Sequence, residues 1–144
     1  MPAGYRPSGP CAVPTLSSPW LVTQGGQQAV ATWTAQQSGA GGAYAYLQID
    51  PSSPVDSAST VQISVTYWAA PGQGFQVQYD GAGGPYEAGP AVSSPGTGQW
   101  VTAQLKVSDA RFTEAQNGQA DMRLAATDPS QPLIVHDVSL TAAP

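Results

Sequence analysis

The stretch VQISVTYW at residues 61–68 alternates apolar and polar side chains without interruption. Successive side chains of a β-strand point to opposite faces of the sheet, so this alternation predicts a strand with one buried face and one outer face. The buried face carries the apolar members: Val61, Ile63, Val65 and Tyr67. The outer face carries three polar side chains and an indole: Gln62, Ser64, Thr66 and Trp68.

Further strand signals follow on both sides of this stretch. The alternation recurs in FQVQY at 75–79 and WVTAQLKV at 100–107, and APGQG at 70–74 predicts a hairpin loop that joins antiparallel neighbours. The glycine- and proline-rich residues 80–98 predict a long irregular connection. Additional apolar runs occur at 28–34, 43–50, 121–125 and 133–140. About seven short strands without a helical period predict an all-β fold, an antiparallel two-sheet β-sandwich.

The composition excludes several classes of function. The chain has 144 residues, and 9% of them are charged, against about 25% in an average soluble domain. Nine acidic and four basic residues give a net charge of −5, which is unsuited to neutralising phosphates, so we expect no nucleic-acid partner. No apolar run reaches the length of about 18 residues that a membrane span needs, so we expect no membrane partner. One cysteine, Cys11, and one histidine, His136, exclude an internal disulfide and a zinc site built from Cys and His.

The first residues differ from the rest of the chain. Residues 1–22 are rich in proline, glycine and serine, and proline lacks the N–H group that a sheet ladder needs. We therefore expect a linker or arm at 1–22 and a β-sandwich module at 23–144. A surface whose polarity comes from Gln, Ser and Thr is typical of secreted proteins, so we expect an extracellular location, although no basic start followed by an apolar run is recognised as a signal peptide in residues 1–22.

An ordered series of motifs resembles a known family. The motifs are AYLQID (45–50), VQISVTYW (61–68), GFQVQYDG (74–81), GQWVTAQLKVSDARF (98–112), NGQADMRLAA (117–126) and LIVHDVSL (133–140). Together they resemble the galactose-binding-like β-sandwich modules that are appended to secreted bacterial glycoside hydrolases and polysaccharide lyases. The resemblance covers about residues 28 to 141. It implies a jelly roll and, for many members, binding of a polysaccharide or oligosaccharide.

The resemblance also implies a structural calcium ion in some members. An aspartate at this point of the last strand often coordinates that ion in related sandwiches, which makes Asp137 the candidate ligand. Calcium takes six to eight oxygen ligands, and backbone carbonyls of the N-terminal region would have to complete the shell. The alternative is that Asp137 is an ordinary polar strand residue.

Glycan binding needs aromatic faces for sugar rings and planar polar groups for hydroxyls. Trp68 with Gln62 on one outer strand face is the first candidate, and the alternative is that Trp68 packs under the 80–98 segment. The second candidate is Tyr79 with Tyr86 and Glu87, which a flexible glycine-rich loop would present. The alternative for that segment is a plain connection.

A third candidate is the strip on the strand at 43–50. Tyr44 and Tyr46 share strand parity with Gln48 and Asp50. If this strand and the strand of Trp68 lie in the same sheet, one face carries both strips. A structural role is expected elsewhere: in a chain with so few charges, Arg111, Asp121 and Arg123 suggest a clamp between arginine and aspartate.

Catalysis by this chain is not expected. No G-x-S-x-G motif accompanies His136, and the acids are scattered, so neither a nucleophilic triad nor a glycosidase carboxylate pair is indicated. The sequence predicts a non-catalytic polysaccharide-binding module that targets a covalently linked catalytic domain to its glycan. The alternative is a structural or assembly sandwich that braces a neighbouring domain or packs in a surface layer.

Overall fold

A computed structural model of the chain describes residues 11–12, 15–17, 20–32, 34–38, 42–50, 52–116 and 119–142. The described part is all-β apart from a four-residue helix α1 (Ala35–Ser38) and a 3₁₀ turn (Pro54–Ser57). The strands in chain order are β1 (Cys11–Ala12), β2 (Thr15–Ser17), β3 (Trp20–Gln24), β4 (Gln27–Ala31), β5 (Tyr44–Gln48), β6 (Val61–Trp68), β7 (Phe75–Gly81), β8 (Gly84–Val92), β9 (Trp100–Val107), β10 (Met122–Ala126) and β11 (Ile134–Ala142).

Within the described residues the strands form two antiparallel sheets. Sheet I has six strands in the order β3-β4-β11-β6-β9, with β1 paired to β11 outside that path. Sheet II has five strands in the order β2-β5-β10-β7-β8. Neighbouring strands in both sheets are mostly far apart in sequence. Most strand pairs are therefore closed by long-range contacts and not by local hairpins.

The two sheets pack face to face around one hydrophobic core. The alternating apolar side chains of β6 and β7 are buried on its two sides, and Tyr67 meets Phe75 edge to face with ring centroids 5.2 Å apart. Fully buried side chains of the core include Leu47, Ile49, Ile63, Met122, Leu124, Leu133 and Leu140. The prediction of an all-β, two-sheet antiparallel β-sandwich is confirmed.

The predicted β6–β7 hairpin is wrong. β6 lies in sheet I between β11 and β9, whereas β7 lies in sheet II between β10 and β8. Residues 70–74 therefore carry the chain from one sheet to the other across the end of the core. Alternation fixes which face of each strand is apolar, but two such faces can meet across a core as well as lie side by side in one sheet.

The segment 80–98 is more regular than expected. It contains β8, which pairs antiparallel with β7 in spite of two prolines, Pro85 and Pro90, and two glycines. The register of this pair shifts between Gln76 and Gln78 and again between Tyr79 and Gly81. β8 is an edge strand, where a missing proline N–H costs no ladder bond on the open side.

The sheets begin before residue 23. β1, β2 and part of β3 fall within the segment 1–22, and they pair with β11, β5 and β4. The arm is expected at residues 1–22, and residues 1–10 of it lie outside the described residues. Neither α1 nor the 3₁₀ turn, the helical elements of the described part, has the length and apolar character of a membrane-crossing helix.

Candidate functional site

The outer face of sheet II collects aromatic and amide side chains. Its strands turn Leu47, Val77 and Leu124 into the core, so the residues between them point outward. The outward side chains that contact one another define what we call the Tyr–Arg face: Tyr44, Tyr46, Gln76, Gln78, Tyr86 and Arg123. β5, β10, β7 and β8 each contribute at least one of them. The face therefore runs across four neighbouring strands of one sheet.

Arg123 stands at the centre of this face. Its guanidinium carbon lies 3.9 Å from the ring centroid of Tyr44 and 4.1 Å from that of Tyr86. Stacking of a guanidinium on aromatic rings is favourable and removes water from the faces of the cation. The ring of Tyr46 lies 5.7 Å from the same carbon and is tilted against Tyr44. Arg123 thereby fixes the relative positions of three tyrosines that come from β5 and β8.

A row of hydrogen bonds crosses the face beside this stack. Arg123 donates from Nε to Oε1 of Gln78 at 2.5 Å and from Nη1 to the hydroxyl of Tyr46 at 3.0 Å. The register explains the row, because Arg123 is directly paired with Tyr46 on β5 and with Gln78 on β7. Gln78 donates to Gln76 at 3.4 Å, and Gln76 donates to the Gly89 carbonyl at 3.5 Å. The chain of donors holds the two amides in one orientation.

Small side chains lie between the larger ones on the Tyr–Arg face. Ala125 separates Tyr44 from Gln76 in the sheet register, and Ala88 and Ala91 are paired with the two glutamines on the edge strand. Alanine rises little above the backbone, so the aromatic rings and amides project beyond their neighbours. A ligand lying across the strands can contact both groups.

Tyr86 is the accessible aromatic ring at the edge of this face. Its side chain is 37% exposed, more than any other large hydrophobic side chain that the structure describes. Its ring stacks on Arg123 and lies on the edge strand β8. The prediction that Tyr86 is displayed at the surface is confirmed, although it sits on a strand and not at the tip of a loop.

The structure contradicts the prediction that Tyr79 contacts a ligand. Its ring is in the core, and its hydroxyl contacts the carboxylates of Glu87, at 2.8 Å, and Asp109. Burial, reinforced by these two hydrogen bonds, raises the pKa of Tyr79 far above its ordinary value. The hydrogen bond from Tyr79 in turn holds the pKa of Asp109 below its usual range. Tyr79 fails as a ligand residue because it has the same strand parity as the core residues of β7.

Glu87 supports the β7–β8 hairpin. One carboxylate oxygen accepts from the backbone N–H of Gly83 at 2.5 Å, and the other accepts from the Tyr79 hydroxyl. Glu87 is half-buried and adjacent to Tyr86 in sequence, so it points away from the Tyr–Arg face while Tyr86 points toward it. Both carboxylate oxygens of Glu87 therefore stabilise the edge strand β8, which carries Tyr86.

One end of the face approaches acidic residues. Gln48 on β5 donates from Nε2 to Glu114 at 3.2 Å. Behind it, the buried carboxylate of Asp121 accepts from the backbone N–H groups of Ile49 at 2.9 Å and Glu114 at 3.0 Å. Burial raises the pKa of Asp121 to about 6. Asp121 therefore bonds to backbone groups, and the expected clamp with Arg123 is not formed.

Trp68 lies on the opposite surface of the sandwich. It points outward from sheet I as the alternation predicts, but it is half-buried and packs edge to face on Trp100, with centroids 5.3 Å apart. The turn at Gly25 covers the pair so closely that a Cβ there would lie 2.5 Å from the Trp68 ring. His136 packs on Trp100 at 5.4 Å, and its Nδ1 lies 2.7 Å from the Gln28 carbonyl. Trp68 thus belongs to a packed cluster and does not offer an open ring face.

Gln62 is separated from the aromatic groups. It is exposed on the outer face of sheet I, paired with Lys106 on β9 and Thr141 on β11. Trp68 lies six residues further along the same strand. Tyr46 and Trp68 lie in different sheets, so the single face that would carry both strips does not form.

Asp137 lies on the outer side of sheet I next to a register shift in the β6–β11 pair. It is half-buried and is paired with Thr66. Across the described segments, no group of three His, Cys, Asp or Glu side chains comes together to hold a metal ion. The ligand shell expected around Asp137 consists mainly of backbone carbonyls of the N-terminal region, part of which lies outside the described residues, so the calcium ion stays a prediction.

Sequence reasoning identified part of the Tyr–Arg face and missed its centre. The sequence predicts an aromatic strip formed by the tyrosines of β5 and surface exposure of Tyr86. For Arg123 the sequence predicts a clamp with aspartate, and it predicts no role for Gln78. The signal that could have found them is parity: Gln76 and Gln78 alternate with core residues of β7, and Arg123 alternates with Met122 and Leu124.

Comparisons with known proteins identify a similar solved structure but no family. No protein-family model matches the chain. A search of the curated proteins finds no match. Among solved structures, the chain is similar to the CBM22-1 xylan-binding domain of Paenibacillus barcinonensis Xyn10C, with a TM-score of 0.44 and 16% sequence identity over 90% of this chain and 80% of that one. The residues of the Tyr–Arg face are therefore assigned from the contacts of this chain alone.

Proposed function

We propose that the chain is a non-catalytic carbohydrate-binding module and that the Tyr–Arg face is its binding surface. The observation that carries this proposal is the stack of Arg123 between Tyr44 and the exposed Tyr86, next to a hydrogen-bonded row of amides. The rings and the amides are fixed relative to one another before any ligand arrives. Preorganisation of this kind lowers the entropy cost of binding.

The chemistry of the face suits a sugar chain. Aromatic side chains provide large apolar surfaces against which the C–H faces of sugar rings can pack. Gln76 and Gln78 each carry both donors and acceptors, and the Tyr46 hydroxyl accepts from Arg123 while its own proton can be donated to a ligand. The chain is poor in charged residues, so few charged side chains elsewhere on the surface compete with this face for sugar hydroxyls.

The dimensions favour an oligosaccharide over a single sugar. The face extends over β5, β10, β7 and β8, which are neighbours in sheet II. Three interstrand spacings of about 4.8 Å correspond to roughly 14 Å across the strands. Millimolar to micromolar binding corresponds to about 4–8 kcal/mol, which is within the range of two aromatic contacts and several hydrogen bonds.

We further propose that the module acts outside the cell as part of a larger protein. A modest affinity becomes useful when the module is covalently linked to a catalytic domain, because binding by one domain raises the local concentration of substrate for the other. What supports this part is the low-charge surface rich in Gln, Ser and Thr.

The proposal is tested by affinity electrophoresis of the purified chain against a panel of neutral and acidic polysaccharides. We expect retardation on at least one polymer and a loss of about tenfold in affinity for Tyr86→Ala, since one aromatic contact contributes about 1.4 kcal/mol or somewhat less. The matched control is Gln104→Ala, an exposed side chain on the outer face of sheet I. Melting temperatures of both variants show that the fold is retained.

Two results would contradict the proposal. The first is absence of retardation on every polymer, which favours a structural module that braces a neighbouring domain. The second is retardation that Gln104→Ala abolishes and Tyr86→Ala leaves unchanged. That outcome would move the binding surface to sheet I.

A further inference from the structure

The charge balance of the Tyr–Arg face is unusual for this protein. The chain has nine acidic and four basic residues, so a basic side chain has a large excess of carboxylates with which to pair. All nine acids lie in the described residues. Even so, within the described residues the Arg123 guanidinium contacts uncharged groups: Tyr44, Tyr46, Gln78 and Tyr86.

Most of the acids are bonded to other partners. Asp121 accepts from backbone N–H groups at the end of sheet II, and Asp80 accepts from Thr113. Glu87 and Asp109 meet at the Tyr79 hydroxyl on the inner side of β7. Asp128 accepts from Ser130. In the part of the chain that the structure describes, the central cation of the outer face therefore contacts rings, a hydroxyl and an amide, and no carboxylate.

The guanidinium also keeps hydrogen-bonding capacity. It has five N–H groups, and the bonds to Gln78 and Tyr46 use one on Nε and one on Nη1. The remaining N–H groups are on the two terminal nitrogens, which form the fork that binds a carboxylate through two parallel hydrogen bonds. The rings of Tyr44 and Tyr86, whose centroids lie 3.9 and 4.1 Å from the guanidinium carbon, take the place of water beside the cation, which strengthens its attraction to an anion.

We propose that the ligand is an acidic polysaccharide and that Arg123 pairs with the carboxylate of a uronic acid residue. This inference rests on the function proposed above and specifies its substrate class. Tyr86 contacts the sugar ring while Arg123 binds the carboxylate of that residue or its neighbour, and Gln76 and Gln78 bind hydroxyls. A neutral polysaccharide would leave the cation without an anionic partner in the complex.

The experiment compares each of three uronate polymers, polygalacturonate, alginate and glucuronoxylan, with its own carboxyl-reduced form by isothermal titration. Reduction converts the carboxylate to a neutral hydroxymethyl group and keeps the backbone of the polymer. For at least one pair we expect the native form to bind about 10- to 100-fold more tightly, which is the range for hydrogen bonds to a charged group. Added salt should weaken binding of the native form.

Variants separate the charge of Arg123 from its packing. Arg123→Gln should bind both forms of the preferred polymer alike, and Arg123→Lys should keep the salt dependence with weaker binding, because lysine lacks the planar fork. The matched control is Arg111→Gln, which removes the same charge from an exposed position outside the face and should bind as the wild type does. The salt dependence of the wild type needs no substitution and stands even where a variant folds poorly.

The outcomes distinguish this inference from the proposal on which it rests. If native and reduced polymers bind equally and Tyr86→Ala weakens both, the face binds carbohydrate but the uronate assignment is overturned. If neither form of any of the three polymers binds while a neutral polysaccharide retards the chain, the uronate assignment is overturned and the proposed function stands. If no polysaccharide of either kind binds, both proposals are overturned. If the preference for the native polymer survives in Arg123→Gln and disappears in Arg111→Gln, the anion site lies elsewhere and the assignment to Arg123 is overturned.

Discussion

Trp68 and Trp100 lie directly opposite each other on β6 and β9, and their rings meet edge to face with centroids 5.3 Å apart. Both side chains point away from the core of the sandwich, yet the β3–β4 turn at Gly25 packs onto them. The pair is therefore a small second cluster under a hairpin. It stabilises the outer side of sheet I, whereas the proposed binding surface lies on sheet II.

The contact at Gly25 can be tested with an adjacent glycine as the control. Gly25 and Gly26 both have positive φ, at 54° and 78°, so an alanine at either position is strained. Only the alanine at 25 also meets a ring, since a Cβ at 26 has nothing within 4 Å. We expect Gly25→Ala to lower the free energy of unfolding by about 1–3 kcal/mol more than Gly26→Ala does, in chemical denaturation. Equal losses would show that the turn does not pack on Trp68.

Trp68→Ala should affect folding and leave ligand binding intact. The substitution removes a half-buried indole from the contact with Trp100 and leaves a gap under the turn, so we expect a loss of about 2–4 kcal/mol in unfolding free energy. The affinity for the polysaccharide, measured well below the melting temperature, should stay within about twofold. A large loss of affinity with unchanged melting would restore Trp68 as the sugar-binding ring.

Asp121 should make the free energy of unfolding depend on pH in the acid range. Burial raises its pKa from 3.8 to about 6, so between about pH 4 and pH 6 the folded protein holds a proton that the unfolded chain has released. The contribution of Asp121 to stability is therefore largest near pH 4 and is lost as the pH rises toward 6. Burial also raises the pKa of Asp56, which acts in the same direction.

The check is the melting temperature of wild type and Asp121→Asn from pH 4 to pH 7. Asparagine keeps one acceptor oxygen for the N–H groups of Ile49 and Glu114 and places an amide group at the other, so the variant is less stable throughout. Its decrease between pH 4 and pH 6 should be smaller than that of the wild type. Parallel curves would show that Asp121 does not titrate in that range.

Tyr79→Phe tests the support behind β8. The substitution removes the hydroxyl that joins Glu87 to Asp109 but keeps the buried ring, so we expect a loss of about 1–3 kcal/mol in unfolding free energy. Binding should weaken only slightly, because Tyr79 does not lie on the Tyr–Arg face. A loss of binding as large as that of Tyr86→Ala, at unchanged stability, would mean that Tyr79 contacts the ligand.

The strand content and the core of the fold could be predicted from the sequence because alternation records which side chains are buried. Val61–Trp68 and Trp100–Val107 show this most clearly. Strand pairing could not be predicted, since β6 and β7 have the same pattern whether they lie side by side or face each other across the core. β8 could not be predicted because its prolines and glycines are typical of loops. The strand forms nevertheless, since these residues are tolerated at an open sheet edge.

The candidate site was predicted only where a single residue carried its own signal. Residue type and parity predict the aromatic strip of β5, and the glycine-rich segment around Tyr86 predicts its exposure. The role of Arg123 depends on three strands that meet in the sheet register, with Tyr46 on one side and Gln78 on the other. Arg123 is 77 residues from Tyr46 and 45 residues from Gln78 in the sequence, so their pairing leaves no local sequence pattern.

The location of the binding surface is tested most directly by NMR titration of the ¹⁵N-labelled chain with an oligosaccharide from the polymer that retards it most. Side-chain N–H signals report on both surfaces: Arg123 Nε, Gln76 and Gln78 on sheet II, and the indoles of Trp68 and Trp100 on sheet I. We expect the Arg123 and glutamine signals to shift in proportion to bound ligand while both indole signals stay in place. Shifts of the indole signals with an unmoved Arg123 signal would contradict the account.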